Sequence, residues 1–176
     1  MPSEIQSNWG ALVGLVAEMR RCDESGLITP SLAMAFICID SMASLARPAD
    51  CNRVTRRHFK EWVDKYLEGH PDQPYKYRGV DVYAARCAFL HTYGSEAELH
   101  TNEPETKKYT YHDGGRHNYN PEVEPGMVII GTKSFVNDVA VAASNFLEEC
   151  GQNSELKTLV ESRLVHVLNI IPYPAQ

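Results

Sequence analysis

The stretch that begins at Thr29-Pro30 constrains the fold of this chain more than any other. It contains the run LAMAFICIDSMASLA and ends before Pro48, so apolar side chains occupy nearly every face of the helix that it predicts. A threonine followed by a proline is typical of the first residues of a helix. Because a helix that is apolar all round has to be covered, we expect it to be the central, buried helix of a bundle.

Apolar residues at helical spacing predict further helices on both sides of this one. Their approximate bounds are Glu4–Arg21, Val54–Leu67, Gly79–Tyr93, Lys133–Glu149 and Ser154–Asn169. Between them, KKYTYH and RHNY flank an Asp-Gly-Gly turn and predict a β-hairpin, and PGMVIIGT predicts a third strand. We therefore expect one mainly α domain over residues 1–176. It is an up-and-down helical bundle with a small antiparallel β insertion at about 107–131, within an inserted segment of about 105–131.

The composition is that of a globular protein with an ordinary core. With 176 residues the chain is long enough to fold without disulfides or metals. Its five cysteines are an odd number with no CxxC pair, which predicts free thiols in a reducing compartment. The first residues have neither a basic start nor an apolar core, and the longest apolar run, Leu32–Ile39, is too short to span a membrane. We expect a cytoplasmic protein that does not insert into a membrane.

Charge is distributed unevenly along the chain. The formal net charge of −6 argues against a general nucleic-acid binder. Residues 1–94 hold 11 basic and 11 acidic residues, whereas 95–176 hold 6 and 12, so an anionic substrate should approach the first half. One face of the third predicted helix carries four basic residues that can dock phosphates, although such a row is also typical of a solvated surface. They are Arg53, Arg56, Arg57 and Lys60.

One run at the end of the fourth predicted helix combines side chains that can do chemistry together, Arg86-Cys87-Ala88-Phe89-Leu90-His91-Thr92-Tyr93. An arginine within an apolar helix is expected to have a partner or a function, because burying an unpaired charge costs free energy. A histidine near neutral pKa can transfer the proton of an RNA 2′-hydroxyl, and an arginine can hold the phosphate that this hydroxyl attacks. The sequence therefore favours RNA cleavage without a metal.

The spacing of the pair sets a geometric condition. His91 lies about 140° around an ideal helix from Arg86, so the two side chains share a pocket only in two cases. Either the helix ends near His91, which Gly94 supports as a C-terminal cap, or a second copy of the helix packs alongside in a symmetric dimer.

These residues resemble a known family. Arg86-x4-His91 is similar to the Rx4–6H motif of the HEPN superfamily, and with Tyr93 it matches the longer form Rx4HxY. The resemblance implies a helical bundle that acts as a homodimeric, metal-independent and cofactor-independent endoribonuclease of toxin–antitoxin or phage-defence systems. Arg86 and His91 would be the catalytic pair at the dimer interface. Tyr93 would be the residue that a partner antitoxin, a minimal nucleotidyltransferase, adenylylates.

The chain differs from the family motif at one position, and the same run also resembles a second group of proteins. Many active members have a polar residue directly after the arginine, where this chain has Cys87. The segment RCAFLHTYGSE is also similar to RC-x-LLH segments of uncharacterised bacterial proteins, which imply no activity. A non-catalytic HEPN-like module that binds a nucleotide or a protein is the alternative.

Several structural explanations remain open at this stage. Arg86 can be paired with a carboxylate such as Asp40 while His91 caps the helix. A second pair, Arg53 and His58, has the same spacing by chance. His112 and His117 across the Asp-Gly-Gly turn can hold a metal, but a solvated turn is favoured. Cys87 can act as a nucleophile, but a packing thiol is favoured.

Overall fold

The computed structural model describes residues 4–167, with side chains described from Trp9 onward. Within them the chain is mainly helical with one small sheet. The elements are α1 (Glu4–Glu24), α2 (Ile28–Ala46), α3 (Arg56–Tyr66), α4 (Gly79–Thr92), α5 (Glu98–Asn102), β1 (Lys108–His112), β2 (Met127–Gly131), α6 (Thr132–Gln152) and α7 (Ser154–Leu164).

The predicted helices are present, with ends that differ by a few residues. The short helix α5 was not predicted. The last helix ends at Leu164, and its predicted end, Asn169, lies outside the described residues. A helical protein with a small inserted sheet is therefore confirmed as the coarse architecture.

Helix α2 is the central helix, as its composition predicts. Leu32, Phe36, Ile39 and Met42 are buried in the core, and the helix packs against α1, α3, α6 and α7. Among the described residues, α2 is also the one helix long and apolar enough to cross a membrane. Half of its most apolar window is buried inside the protein, which is typical of the core helix of a globular domain.

The small sheet corrects the sequence prediction, because its two strands are parallel. Lys108 of β1 pairs with Met127 of β2, and the register continues to His112 opposite Gly131. The predicted second hairpin arm, RHNY, forms no strand, and only an isolated antiparallel bridge joins Asn118 to Ile129. The predicted antiparallel insertion at 107–131 is therefore wrong in its topology, although both the first and the third predicted strands exist.

The residues of the Asp-Gly-Gly turn explain the difference. The His112 Nδ1 accepts the N–H of Gly114 at 2.9 Å. The turn is therefore closed by a side chain and not by backbone pairing between two hairpin strands. The backbone of Gly115 packs closely on Gly131. A Cβ added to Gly131 would lie 2.5 Å from the Gly115 carbonyl oxygen. Residues 113–126 thus form a crossover that returns the chain to pair in parallel, as parallel strands require.

Helix α4 is positioned by its neighbours on two sides. At its first residue, Gly79 donates its N–H to Asp64 Oδ1 of α3 at 2.6 Å. A Cβ at Gly79 would lie 2.4 Å from the carbonyl oxygen of Lys60, so the two helix backbones touch. On the other side, the ring of Phe89 packs on that of Tyr111 in β1, with centroids 5.7 Å apart. The C-terminal end of α4 is thereby fixed at the surface.

Candidate functional site

Arg86 and His91 meet within one chain at the end of α4. The Arg86 Nη1 lies 3.1 Å from the His91 Nε2. Since a guanidinium can only donate, the His91 Nε2 is the acceptor in this contact. His91 is exposed and Arg86 is half-buried. The first of the two geometric conditions therefore holds, because α4 ends at Thr92, directly after His91.

Asp40 of α2 holds the arginine from the other side. Its Oδ2 accepts a hydrogen bond from the Arg86 Nε at 2.8 Å and also lies 2.8 Å from the Arg86 Nη2, which makes the two side chains an ion pair. Burial raises the pKa of Asp40, and the hydrogen bond and charge of Arg86 oppose that rise. The structural explanation that pairs Arg86 with Asp40 is thus correct in its geometry. The same explanation also has His91 capping the helix, and this part is wrong, because the imidazole of His91 contacts the Arg86 guanidinium.

The helix ends on an unusual residue. Tyr93 has φ 51° and ψ 36°, a left-handed conformation that costs a residue with a Cβ on the order of 1 kcal/mol. The sequence predicts Gly94 as the cap, but Tyr93 takes the left-handed position and Gly94 only donates its N–H to the Ala88 carbonyl. This backbone turns the tyrosine outward. Tyr93 is 70% exposed, and its hydroxyl lies 2.9 Å from Thr29 Oγ1.

A cleft of about 440 Å³ opens beside His91. Of the four basic residues on the predicted third helix, Arg56 lines this cleft and Arg53, Arg57 and Lys60 do not. Arg53 and Arg57 are exposed, and Lys60 is half-buried. The complete lining is Arg56, Tyr83, Cys87, His91, Thr92, Glu96, Ala97, Glu98, Leu99 and Asn102.

The thiols are free, as the sequence predicts. None of the five cysteines is in a disulfide, and all of them lie within residues 4–167. Cys87 is half-buried and lines the cleft beside His91. Burial raises the pKa of the Cys38 thiol to about 12 and that of Cys150 to about 11, so both are inert packing groups.

The weaker candidates do not form sites. His117 is buried, with its Nε2 2.8 Å from the Tyr77 hydroxyl and its Nδ1 accepting the N–H of Gly131. Burial lowers the pKa of His117 to about 4. Both ring nitrogens are occupied, and residues 4–167 contain no group of three or more His, Cys, Asp or Glu side chains that could hold a metal ion. In the second pair of the same spacing, Arg53 is exposed, whereas His58 is buried and its Nδ1 accepts the N–H of Thr55.

A second groove, of about 860 Å³, runs between α1 and α2 and includes Asp40 in its wall. Its α1 side is lined by Gly10 and Gly14, where an added Cβ would meet no atom of the described residues within 4 Å. Ile37 also lines the groove and is 42% exposed, so an apolar surface lies directly beside the carboxylate that holds Arg86.

No protein-family model, curated protein or solved structure matches this chain. Its function is therefore inferred from the residues of the site.

Proposed function

We propose that this protein is a metal-independent endoribonuclease of HEPN type and that its helices form a HEPN-like up-and-down bundle. The observation that supports this most is the 3.1 Å contact between the Arg86 guanidinium and the His91 imidazole. It brings a permanent cation and a titratable base together at the end of α4, where His91 is exposed and Arg86 is half-buried.

The chemistry needs only these two groups and the RNA. His91 takes the proton of the 2′-hydroxyl, whose oxygen attacks the adjacent phosphorus. The bond to the 5′-oxygen breaks, and that oxygen takes a proton from a protonated His91, giving a 2′,3′-cyclic phosphate and a 5′-hydroxyl. Arg86 donates to the phosphate oxygens and stabilises the charge that grows on them. Arg56 in the neighbouring cleft binds the flanking phosphate, and the exposed Arg53 and Arg57, with the half-buried Lys60, extend the same basic surface.

The proposed active form is a homodimer. The groove between α1 and α2 offers small and apolar residues at Gly10, Gly14 and Ile37, which allow a second helix to approach closely. Because Asp40 lies in its wall, a second copy seated there adjoins the Arg86–His91 pair. Two such pairs in one crevice would supply a base and an acid for the two proton transfers.

We also propose a regulated, cytoplasmic enzyme. The burial of α2 in the core favours a soluble protein, and five free thiols favour a reducing compartment. A toxin or phage-defence component would need silencing, and the outward-turned Tyr93 hydroxyl is accessible to an antitoxin such as a minimal nucleotidyltransferase.

RNA cleavage in the presence of EDTA tests the proposal. We expect purified protein to produce 2′,3′-cyclic phosphate ends, and His91→Ala and Arg86→Ala to reduce the rate by at least about 100-fold, because each removes a group that acts on the transition state. His70→Ala and Arg20→Ala change the same residue types at exposed positions outside the site and should cleave normally. Cleavage that persists unchanged in both site variants would contradict the assignment.

Asp40 should act as a positioning residue in this reaction. Asp40→Ala removes the acceptor of the Arg86 Nε hydrogen bond and the ion-pair partner of the guanidinium, so we expect the cleavage rate at saturating RNA to fall about tenfold with little change in KM. Asp40→Asn keeps one acceptor oxygen and should recover part of the rate. Equal losses in both variants, or a change in KM alone, would indicate that Asp40 does not orient the guanidinium.

A non-catalytic binding module is the second candidate, and one observation favours it. Three nitrogens of the Arg86 guanidinium are already engaged by Asp40 and His91 within the chain. The cleft of about 440 Å³ beside His91 would then bind a nucleotide without breaking it. Nucleotide or RNA binding that is lost in Arg56→Ala, with no strand scission by the wild type, would support this alternative.

A further inference from the structure

Among the aromatic side chains of residues 9–167, that of Tyr93 alone is exposed. Tyr93 is 70% exposed, whereas every other tyrosine, phenylalanine and tryptophan of this range is buried or half-buried. Most of the tyrosines belong to a packed cluster, in which the ring of Tyr75 contacts those of Tyr77, Tyr109 and Tyr119. A single exposed apolar side chain is ordinary by itself. The backbone and the fixation of the Tyr93 ring set it apart.

The backbone of Tyr93 is strained at the end of α4. Within residues 4–167 it is the one residue other than glycine with a positive φ, 51°. The next residue, Gly94, could adopt this conformation without the clash of a Cβ, yet the tyrosine takes the position. Strain of this kind persists only where the surrounding structure fixes it, and it clusters at functional sites. The left-handed turn is therefore a reason to look for a function of this ring.

The ring of Tyr93 is held at two points. Its hydroxyl lies 2.9 Å from Thr29 Oγ1, near the start of α2. Its ring packs on that of Phe89, with centroids 5.5 Å apart and planes inclined by 61°. A side chain that is fixed before its ligand arrives loses less conformational entropy on binding. Tyr93 therefore presents a preorganised aromatic surface to solvent.

This surface adjoins the proposed catalytic histidine. Tyr93 follows His91 by two residues, so their Cα atoms are at most about 7.6 Å apart. The cleft beside His91, which contains Arg56, is lined by residues of α3, α4, α5 and the segment before α5, and Tyr93 is not among them. The ring instead contacts α2 through Thr29. Tyr93 and Arg56 therefore approach His91 from different elements, and one RNA strand can contact all three.

We propose that Tyr93 stacks an unpaired base of the RNA, next to the phosphate that His91 contacts. This inference rests on the proposed ribonuclease function and names its substrate class, single-stranded RNA. In a duplex the bases are already paired and stacked on one another, so only an unpaired base can lie on the ring. Every base has a π face, so stacking on an aromatic side chain tolerates any sequence. The ring thus positions the strand without selecting a base.

The affinity of the full chain for two uncleavable strands, measured by fluorescence anisotropy, tests the stacking. One is a 2′-O-methyl decamer of uridines, and the other is the same sugar–phosphate chain without bases. The two carry equal charge, and neither has a 2′-hydroxyl to attack the phosphorus. We expect the wild type to bind the uridine strand about tenfold more tightly. Tyr93→Phe keeps the ring and should keep this preference. Tyr93→Asn removes the ring, accepts the left-handed backbone and should bind both strands equally.

A control variant and a cleavage assay separate the possible outcomes. Val123→Asn removes another exposed apolar side chain, 77% exposed in the crossover, and should bind both strands like the wild type. A wild type without preference for the uridine strand would overturn the stacking, and so would an equal loss of affinity for both strands in Tyr93→Asn.

Cleavage of unmodified oligouridine decides the ribonuclease separately. If the wild type cleaves and Tyr93→Asn keeps the preference for bases, the stacking alone is refuted. If the wild type does not cleave but the preference disappears in Tyr93→Asn, the stacking stands and the ribonuclease is refuted.

Discussion

Replacing Asp81 with alanine is expected to lower the free energy of unfolding by about 3–5 kcal/mol, because it removes a fully buried carboxylate that accepts four hydrogen bonds. Asp81 is 0% exposed and lies in the first turn of α4. Its Oδ2 accepts from the Arg78 Nε at 2.7 Å and from the Tyr75 hydroxyl at 2.6 Å. Its Oδ1 accepts from the Arg78 Nη2 at 2.7 Å and from the backbone N–H of Lys107 at 2.8 Å.

The loss is large because four donors would be left without their acceptor. Burial and the charge of Asp81 raise the pKa of Tyr75, so its hydroxyl stays protonated and needs an acceptor. The Lys107 N–H stands just before β1, which means that the carboxylate also ties the sheet to α4.

Urea denaturation followed by circular dichroism measures the change. Asp72→Ala is the matched control, because that carboxylate is exposed and only faces His70 at 3.7 Å; it should change stability by less than about 0.5 kcal/mol. A loss below about 1 kcal/mol for Asp81→Ala would mean that the surrounding donors find other partners.

The helices could be predicted because their causes are local. The apolar run of α2 and the apolar spacing within α4 are visible in the sequence, and the structure places both helices within about two residues of the prediction. The topology of the sheet could not be predicted, because it depends on contacts between residues that are distant in the sequence. The Asp-Gly-Gly turn favours a hairpin locally, but the packing of Gly115 on Gly131 is set by the whole crossover.

The candidate site divides in the same way. The contact of Arg86 with His91 follows from the place where α4 ends, and the need of a half-buried guanidinium for a carboxylate pointed to Asp40. The left-handed Tyr93 could not be predicted, because local preference puts a glycine at that position and Gly94 is the next residue. The buried ring nitrogens His58 Nε2 and Trp62 Nε1 have no hydrogen-bond partner within residues 4–167, and this depends on tertiary packing that no sequence spacing encodes.

Replacing Gly79 with alanine is expected to destabilise the protein by about 3 kcal/mol, at the upper end of overpacking costs. A Cβ there would lie 2.4 Å from the Lys60 carbonyl oxygen and 2.7 Å from the Lys60 Cα. Both atoms belong to the backbone of α3, so no side-chain rotation relieves the clash and the two helices must separate. The hydrogen bond from the Gly79 N–H to Asp64 Oδ1, at 2.6 Å, would lengthen with them.

Gly151→Ala is the control that separates this clash from the general effect of a methyl group on a helix. An added Cβ at Gly151, near the end of α6, meets nothing within 4 Å, so alanine should stabilise the protein by about 0.5 kcal/mol. Urea midpoints that move in opposite directions for the two variants would support the direct backbone contact of α3 with α4. A Gly79→Ala midpoint at or above that of the wild type would show that the helices are not in contact there, and the placement of Arg86 and His91 at the end of α4 would then need another cause.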